Sequence, residues 1–149
     1  MDPEPQASLY RDLLRQLTGT WAFERTSPGL ATMTGTALIA AIEPDLSSYE
    51  EAGTLTTAEG GSFQFSRKYR YRASEGSLDI LFDETPPRLY QSVNLVGESG
   101  GLVGSGFHLC SADEYRSDYR FELPDRFATT HHVTGPRKSY LIETRYRRA

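Results

Sequence analysis

Reactive side chains concentrate in one short stretch, where His108, Cys110, Asp113 and Tyr115 offer a base, a thiol, a carboxylate and a phenol. On an extended strand alternate side chains share a face, so His108 and Cys110 point the same way and Asp113 falls in the turn that follows. Two readings stand for each partner. Asp113 either orients the imidazole or makes a local turn with its own backbone; Cys110 either becomes a thiolate beside His108 or packs as a small hydrophobe. An imidazole is the side chain type best suited to exchange a proton at neutral pH, which makes His108 the candidate for that role. Of the adjacent His131 and His132, one alone can join His108 on an inner face. Two histidines and one thiol have the chemistry of a zinc site, and an inward histidine that of a haem ligand, but no paired ligand motif accompanies them, so no metal or cofactor is expected.

A second cluster surrounds Arg67. The run Phe63, Phe65, Arg67, Tyr69, Tyr71 alternates with Gln64, Ser66, Lys68, Arg70, Arg72, and composition assigns the first set to the interior. That carries a guanidinium into aromatic surroundings, where it requires a partner. Glu50 or Glu51 on the preceding strand would satisfy it, as would an anionic ligand, for which a planar bidentate donor is suited.

The elements that hold these residues are legible from periodicity. Leu9, Leu13, Leu14 and Leu17 fall on one face at helical spacing, which predicts a short helix over residues 7–17 ended by Gly19, after a disordered tail over 1–6. Thereafter strand-length runs of period-two alternation are separated by Gly, Pro, Ser, Asp or Asn. They are expected at 20–26, 32–42, 49–57, 62–72, 78–82, 88–95, 102–110, 114–122, 126–134 and 138–147. Short connections throughout favour one all-β domain over 7–149: a single antiparallel up-and-down barrel of about eight to ten strands, its N-terminal helix closing one end. The glycine-rich stretch Gly97–Gly106 is followed by no helix that could bind phosphate, and reads as a hairpin tip or a lid. Gly135-Pro136-Arg137-Lys138 reads as a tight hairpin, with Gly135 taking an unusual φ and Pro136 fixing the next dihedral. Arg137 and Lys138 would then either greet an acidic ligand at the rim or face water.

Two resemblances sharpen this. The helix running into Gly19-Thr20-Trp21 resembles the entry of lipocalins and fatty-acid-binding proteins. That likeness implies that Trp21 closes the barrel floor and that a last-strand arginine, here Arg145, covers its ring, a contact contributing about 0.5–2 kcal/mol. Further along come Glu50-Glu51-Ala52-Gly53-Thr54-Leu55, Arg67-Lys68-Tyr69-Arg70-Tyr71, Leu81-Phe82-Asp83, His108-Leu109-Cys110 with Asp113 and Tyr115, Gly135 to Tyr140, and Thr144-Arg145-Tyr146. This ordered series, from about Leu17 to Arg148, resembles the small-protein family known as domain of unknown function sixty-three fourteen. The resemblance implies a lipocalin-like barrel and brings no activity with it. Where such relatives place Phe-His after the fifth strand this chain has Leu89-Tyr90, which leaves Tyr90 as a neutral hydrogen-bonding substitute.

Composition narrows the partners. The formal charge of −4 gives no general pull toward nucleic acid or anionic lipid. Arg137, Lys138, Arg145, Arg147 and Arg148 against Glu143 leave the last stretch basic, as an interaction patch or a solvated strand face. One cysteine excludes an intramolecular disulfide, the N-terminal residues lack the pattern of a signal peptide, and no apolar run would span a bilayer, which together predict a cytoplasmic protein with no membrane insertion. A monomer or homodimer is expected, with a small apolar or amphipathic molecule as partner. The expected site comprises Arg67, Tyr69, Tyr71, Tyr90, His108, Cys110, Tyr115 and His131. Binding of a mostly apolar molecule with a polar or anionic end is the first functional reading. A cyclase, isomerase or hydratase using His108 with Arg67 and Tyr69 is the second, and a protein-interaction barrel the third.

Overall fold

A computed structural model describes residues 5–149, with side chains from Leu9 onward. Of the expected disordered tail, residues 1–4 lie outside the described residues and Pro5 and Gln6 already belong to helix α1 (Pro5–Leu17). Eleven strands follow: β1 (Gly19–Ser27), β2 (Ala31–Glu43), β3 (Leu46–Thr57), β4 (Ser62–Ser74), β5 (Ser77–Phe82), β6 (Arg88–Val93), β7 (Val96–Glu98), β8 (Gly101–Cys110), β9 (Asp113–Glu122), β10 (Arg126–Gly135) and β11 (Lys138–Arg148). The strand not foreseen is β7, three residues that extend the edge beside the Ser99–Gly100 turn. Such a piece is too short to show alternation.

All strands belong to one antiparallel sheet in the order β6-β5-β4-β3-β2-β1-β11-β10-β9-β8-β7. Each strand pairs with its sequence neighbour, except that β1 also pairs with β11, Trp21 facing Arg148, while β6 and β7 are the two edges. The sheet curls so that its buried faces share one core, and β6 comes to lie along β8 without a hydrogen-bonded ladder. Glycines permit that approach: a Cβ on Gly106 would stand 2.8 Å from Gln91 Oε1, and one on Gly104 2.4 Å from Asn94 O. A backbone without side chains can lie flush against the neighbouring edge.

The helix packs its leucine face onto the Trp21 end of this sheet. Leu13, Leu14 and Leu17 are buried, as is Tyr10, whose hydroxyl accepts the Leu95 N–H at 2.9 Å. Trp21 donates its indole N–H to Leu17 O at 2.9 Å, so the first strand is tied to the last turn of the helix. The cation over the Trp21 ring is Arg148, at 4.0 Å, and not Arg145. Strand parity is the reason: Thr144, Tyr146 and Arg148 share the inner face of β11, and Arg145 is exposed on the other. Arg148 also donates to Thr18 O at 2.9 Å and to Gln16 O, placing a positive charge on the free carbonyls of the helix C-terminus. Gly19, at φ +137°, is held close to that guanidinium.

On the outer side of β5, Asp79 is buried and accepts hydrogen bonds from Ser74 (2.6 Å), Ser77 (2.8 Å), Ser92 (2.6 Å) and Arg72 (2.9 Å). Burial alone would raise its pKa, but these donors outweigh it and hold the carboxyl below its ordinary value. A depressed folded-state pKa contributes stability that is present above the unfolded value and disappears as pH falls through the folded one. Asp79→Asn is therefore expected to cost about 1.5–3 kcal/mol at pH 7. Urea titrations should show its deficit relative to wild type shrinking as the pH drops below about 4. A deficit that stays constant with pH would refute the assignment.

Candidate functional site

The inner face encloses a cavity of about 410 Å³, within the range of small-molecule sites. Its deep wall carries an ion pair that the sequence reading missed. Arg25 and Glu51, both buried, meet in bidentate geometry at 2.7 and 2.8 Å. Thr144 Oγ1 accepts from Arg25 Nε at 2.8 Å, Tyr49 donates to Glu51 Oε1 at 2.5 Å, and the Tyr49 and Tyr146 hydroxyls are 2.8 Å apart. Burial works against both charges, yet the mutual hydrogen bonds prevail: Glu51 is held below the usual carboxylate range and Arg25 firmly protonated. Desolvation also pushes the Tyr49 phenol well up. Alternation along β1, Trp21-x-Phe23-x-Arg25, was the available signal for Arg25.

This pairing corrects the expectation for Arg67. Its cross-strand neighbour Glu51 is committed to Arg25, and Glu50 lies 3.8 Å from Lys68, so neither carboxylate serves Arg67. Arg67 lines the cavity but remains exposed, at the rim and not in the interior. Among the described residues it has no ion pair and no hydrogen bond. Phe63, placed on the same inner list, is 60% exposed, because β4 runs on past the cavity.

Tyr69, Tyr71, Tyr90, His108, Cys110, Tyr115 and His131 all line this cavity with Arg67, so the structure brings the candidate residues together. Tyr71 is buried, and burial together with neighbouring phenols pushes its pKa well up. Tyr90 is half-buried and pushed up to about 12, again by desolvation first. His108 sits among Tyr90, Phe82 and Tyr115 with ring centroids 5.1, 5.8 and 6.2 Å away, an aromatic box. No hydrogen bond fixes its tautomer among the described residues. Asp113 does not reach it, being paired with Lys138 at 2.9 Å. Cys110 is exposed at the rim, which removes the reading of a buried small hydrophobe. Arg88, also at the rim, covers Phe82 at 4.3 Å and pairs with Glu84.

Of the two adjacent histidines His131 faces the cavity, and His132 is exposed. Behind His131 lies a relay that sequence reading did not foresee. Tyr119 donates to Gln91 Oε1, Gln91 Nε2 donates to Ser117 Oγ at 2.8 Å, and Ser117 Oγ stands 2.6 Å from His131 Nδ1. Gln91 was hidden by the irregularity between Ile80 and Leu81, which leaves Tyr90 unpaired opposite β5 and lets both Tyr90 and Gln91 turn inward. Burial first, then the charges of Arg25 and Arg67, push the His131 imidazole down to about 4. It is neutral at physiological pH.

Three other expectations change. Gly135 has no positive φ; its lack of a Cβ makes room for the Asp113 carboxylate, 2.1 Å from where that atom would stand, while Pro136 and Arg137 form the two-residue turn. Lys138 is engaged by Asp113 and is not free to greet a ligand. Gly100 and Gly101 line a separate crevice beside α1 with Leu9 and Leu13, so the glycine-rich tip is no lid over the main cavity. Among the described residues no cluster of His, Cys, Asp and Glu could hold a metal ion, and no helix is long and apolar enough to cross a membrane.

Residues 17–148 match the model of a family of unknown function, DUF6314. The chain belongs to that family. No curated protein matches its sequence. Among solved structures it is similar to Rv2717c from M. tuberculosis, with 12% identity, TM-score 0.65 and coverage of 99% of this chain and 100% of that one. The S-type phycobiliprotein lyase CPES from Guillardia theta matches at 12% identity and TM-score 0.63, over 99% and 98% of the two chains. EF1p2_mFAP2b, solved bound to DFHBI, matches at 12% identity and TM-score 0.51, over 94% and 99%. At such identities the likeness is one of fold, and it fits the lipocalin-like resemblance seen in this DUF6314 sequence.

Proposed function

We propose that this DUF6314 chain is a small-molecule-binding barrel whose ligand is mostly apolar and aromatic, with an anionic group held at the rim by Arg67. In this reading α1 shuts the Trp21 end and the ligand enters between Arg67, Arg88 and Cys110. The observation that carries it is a guanidinium lining an aromatic cavity with no carboxylate of its own. Arg25, by contrast, is fully paired and contributes to the wall. The fold relative solved with DFHBI supports the idea that such a sheet can enclose a small molecule. Proton exchange by His108 is the weaker reading, because nothing among the described residues orients its ring.

Titration with the anionic aromatic fluorophore 1-anilinonaphthalene-8-sulfonate tests the proposal. A charge-assisted hydrogen bond worth about 1.5–3 kcal/mol predicts affinity roughly ten- to a hundredfold weaker in Arg67→Gln. Arg126→Gln, on an exposed position outside the cavity, should bind like wild type. Equal affinity in all three proteins, or no saturable binding by wild type, would refute it.

A further inference from the structure

The cavity has a second polar anchor, held from behind by a hydrogen-bonded chain. Ser117 already accepts a proton from Gln91 Nε2, so its own hydroxyl proton is available to His131 Nδ1. A chain running in one sense from Tyr119 through Gln91 and Ser117 ends with Nδ1 accepting and the imidazole proton on Nε2, the tautomer on which the inference below rests. Among the described residues no protein group meets Nε2, and the ring lines the cavity. Among the described residues the wall also lacks a free anionic acceptor. Its one carboxylate, Glu51, has both oxygens engaged by Arg25, with Tyr49 on Oε1 as well.

Resting on the binding reading above, we infer that the ligand is an aromatic carboxylate, or an equivalent oxyanion, carrying an acceptor oxygen of the carbonyl type for His131 Nε2–H. Arg67 takes the anion at the rim and His131, positioned by Ser117, takes the neutral oxygen inside. Ammonium-bearing molecules are disfavoured, because the Arg67 guanidinium at the rim repels them and, among the described residues, no free carboxylate lines the wall. The neutrality of His131 fits this division of labour: it offers a directed N–H without adding charge.

Two isosteric probes separate this inference from simple occupancy: 6-acetyl-2-naphthoate, which carries the carbonyl, and 6-isopropenyl-2-naphthoate, which replaces that oxygen with CH₂. Wild type should bind the acetyl compound about five- to twentyfold more tightly, as one neutral hydrogen bond of about 1–2 kcal/mol implies. His131→Leu should bring the ratio to about one, and His131→Gln, which retains an N–H donor, should preserve most of it. Ser117→Ala frees the tautomer and should reduce the ratio without changing affinity for the isopropenyl compound. Arg67→Gln should weaken both probes together and leave the ratio intact. Equal binding of the two probes by wild type overturns the inference and leaves the binding function standing, as does a ratio that survives His131→Leu. Failure of both probes to bind overturns both.

Discussion

Replacing Glu51 by Ala is expected to lower the unfolding free energy by about 3–5 kcal/mol, a large part of the roughly 5–15 kcal/mol that holds a domain of this kind together. The cost comes from what remains. Arg25 would keep its charge in a site where it is 8% exposed, losing both short contacts to the carboxylate, and Tyr49 would lose its acceptor. Arg25→Ala should be similarly damaging, since it strands Glu51. The pair as a unit is a different matter. Removing both charges in Arg25→Met/Glu51→Leu eliminates two desolvation penalties together, and the double variant should recover to within about 1 kcal/mol of wild type or exceed it. Urea unfolding of wild type, Arg25→Met, Glu51→Leu and the double variant completes a double-mutant cycle. A Glu51→Ala protein within 1 kcal/mol of wild type would mean that water reaches Arg25 and that the pair is not enclosed.

Trp21→Ala should be comparably severe, at about 3–5 kcal/mol, but by another mechanism. The Trp21 side chain is wholly buried and meets three elements: the helix through its N–H to Leu17 O, β10 through an edge contact with Phe127 at 4.8 Å, and β11 through Arg148 above the ring. Truncation leaves a cavity and releases the arginine that caps α1. Trp21→Phe keeps most of the apolar contact while losing the indole donor, and should cost less, about 1–3 kcal/mol. Thermal unfolding followed by circular dichroism would register the Ala variant as a fall of about 2–4 °C per kcal/mol. If Trp21→Ala and Trp21→Phe melted alike, the packing account would be wrong.

How much of this was readable beforehand depends on how regularly each stretch repeats. The leucines at 9, 13, 14 and 17 gave a helix, and alternation placed ten strands close to their observed bounds. Parity also reached the cavity lining, because Tyr69, Tyr71, His108 and Tyr115 follow the inward phase of their strands. The same rule, applied to β1 and β11, would have added Arg25 to Arg67 as an arginine facing the cavity and put Arg148 in place of Arg145. Other features had no period to reveal them. Tyr90 stands unpaired in the β5–β6 ladder and upsets the phase that would have exposed Gln91, and the relay from Tyr119 to His131 joins β6, β9 and β10 through contacts that only the curled sheet creates. Gly135 illustrates a subtler limit. Its residue type correctly signalled a constraint, but the constraint is crowding by Asp113 and not backbone φ.

The pairing of β1 with β11 has a consequence for the order of events in making the protein. The first strand of the sheet must wait, with one side unsatisfied, until β11 has emerged, since that distant strand is its second neighbour. Walls contributed by β3, β4 and β6 therefore exist before those from β9, β10 and β11, and no half of the molecule owns the complete cavity. Any small molecule that fits can stabilise only the finished article, so occupancy would act as a late lock on assembly and not as a template for it.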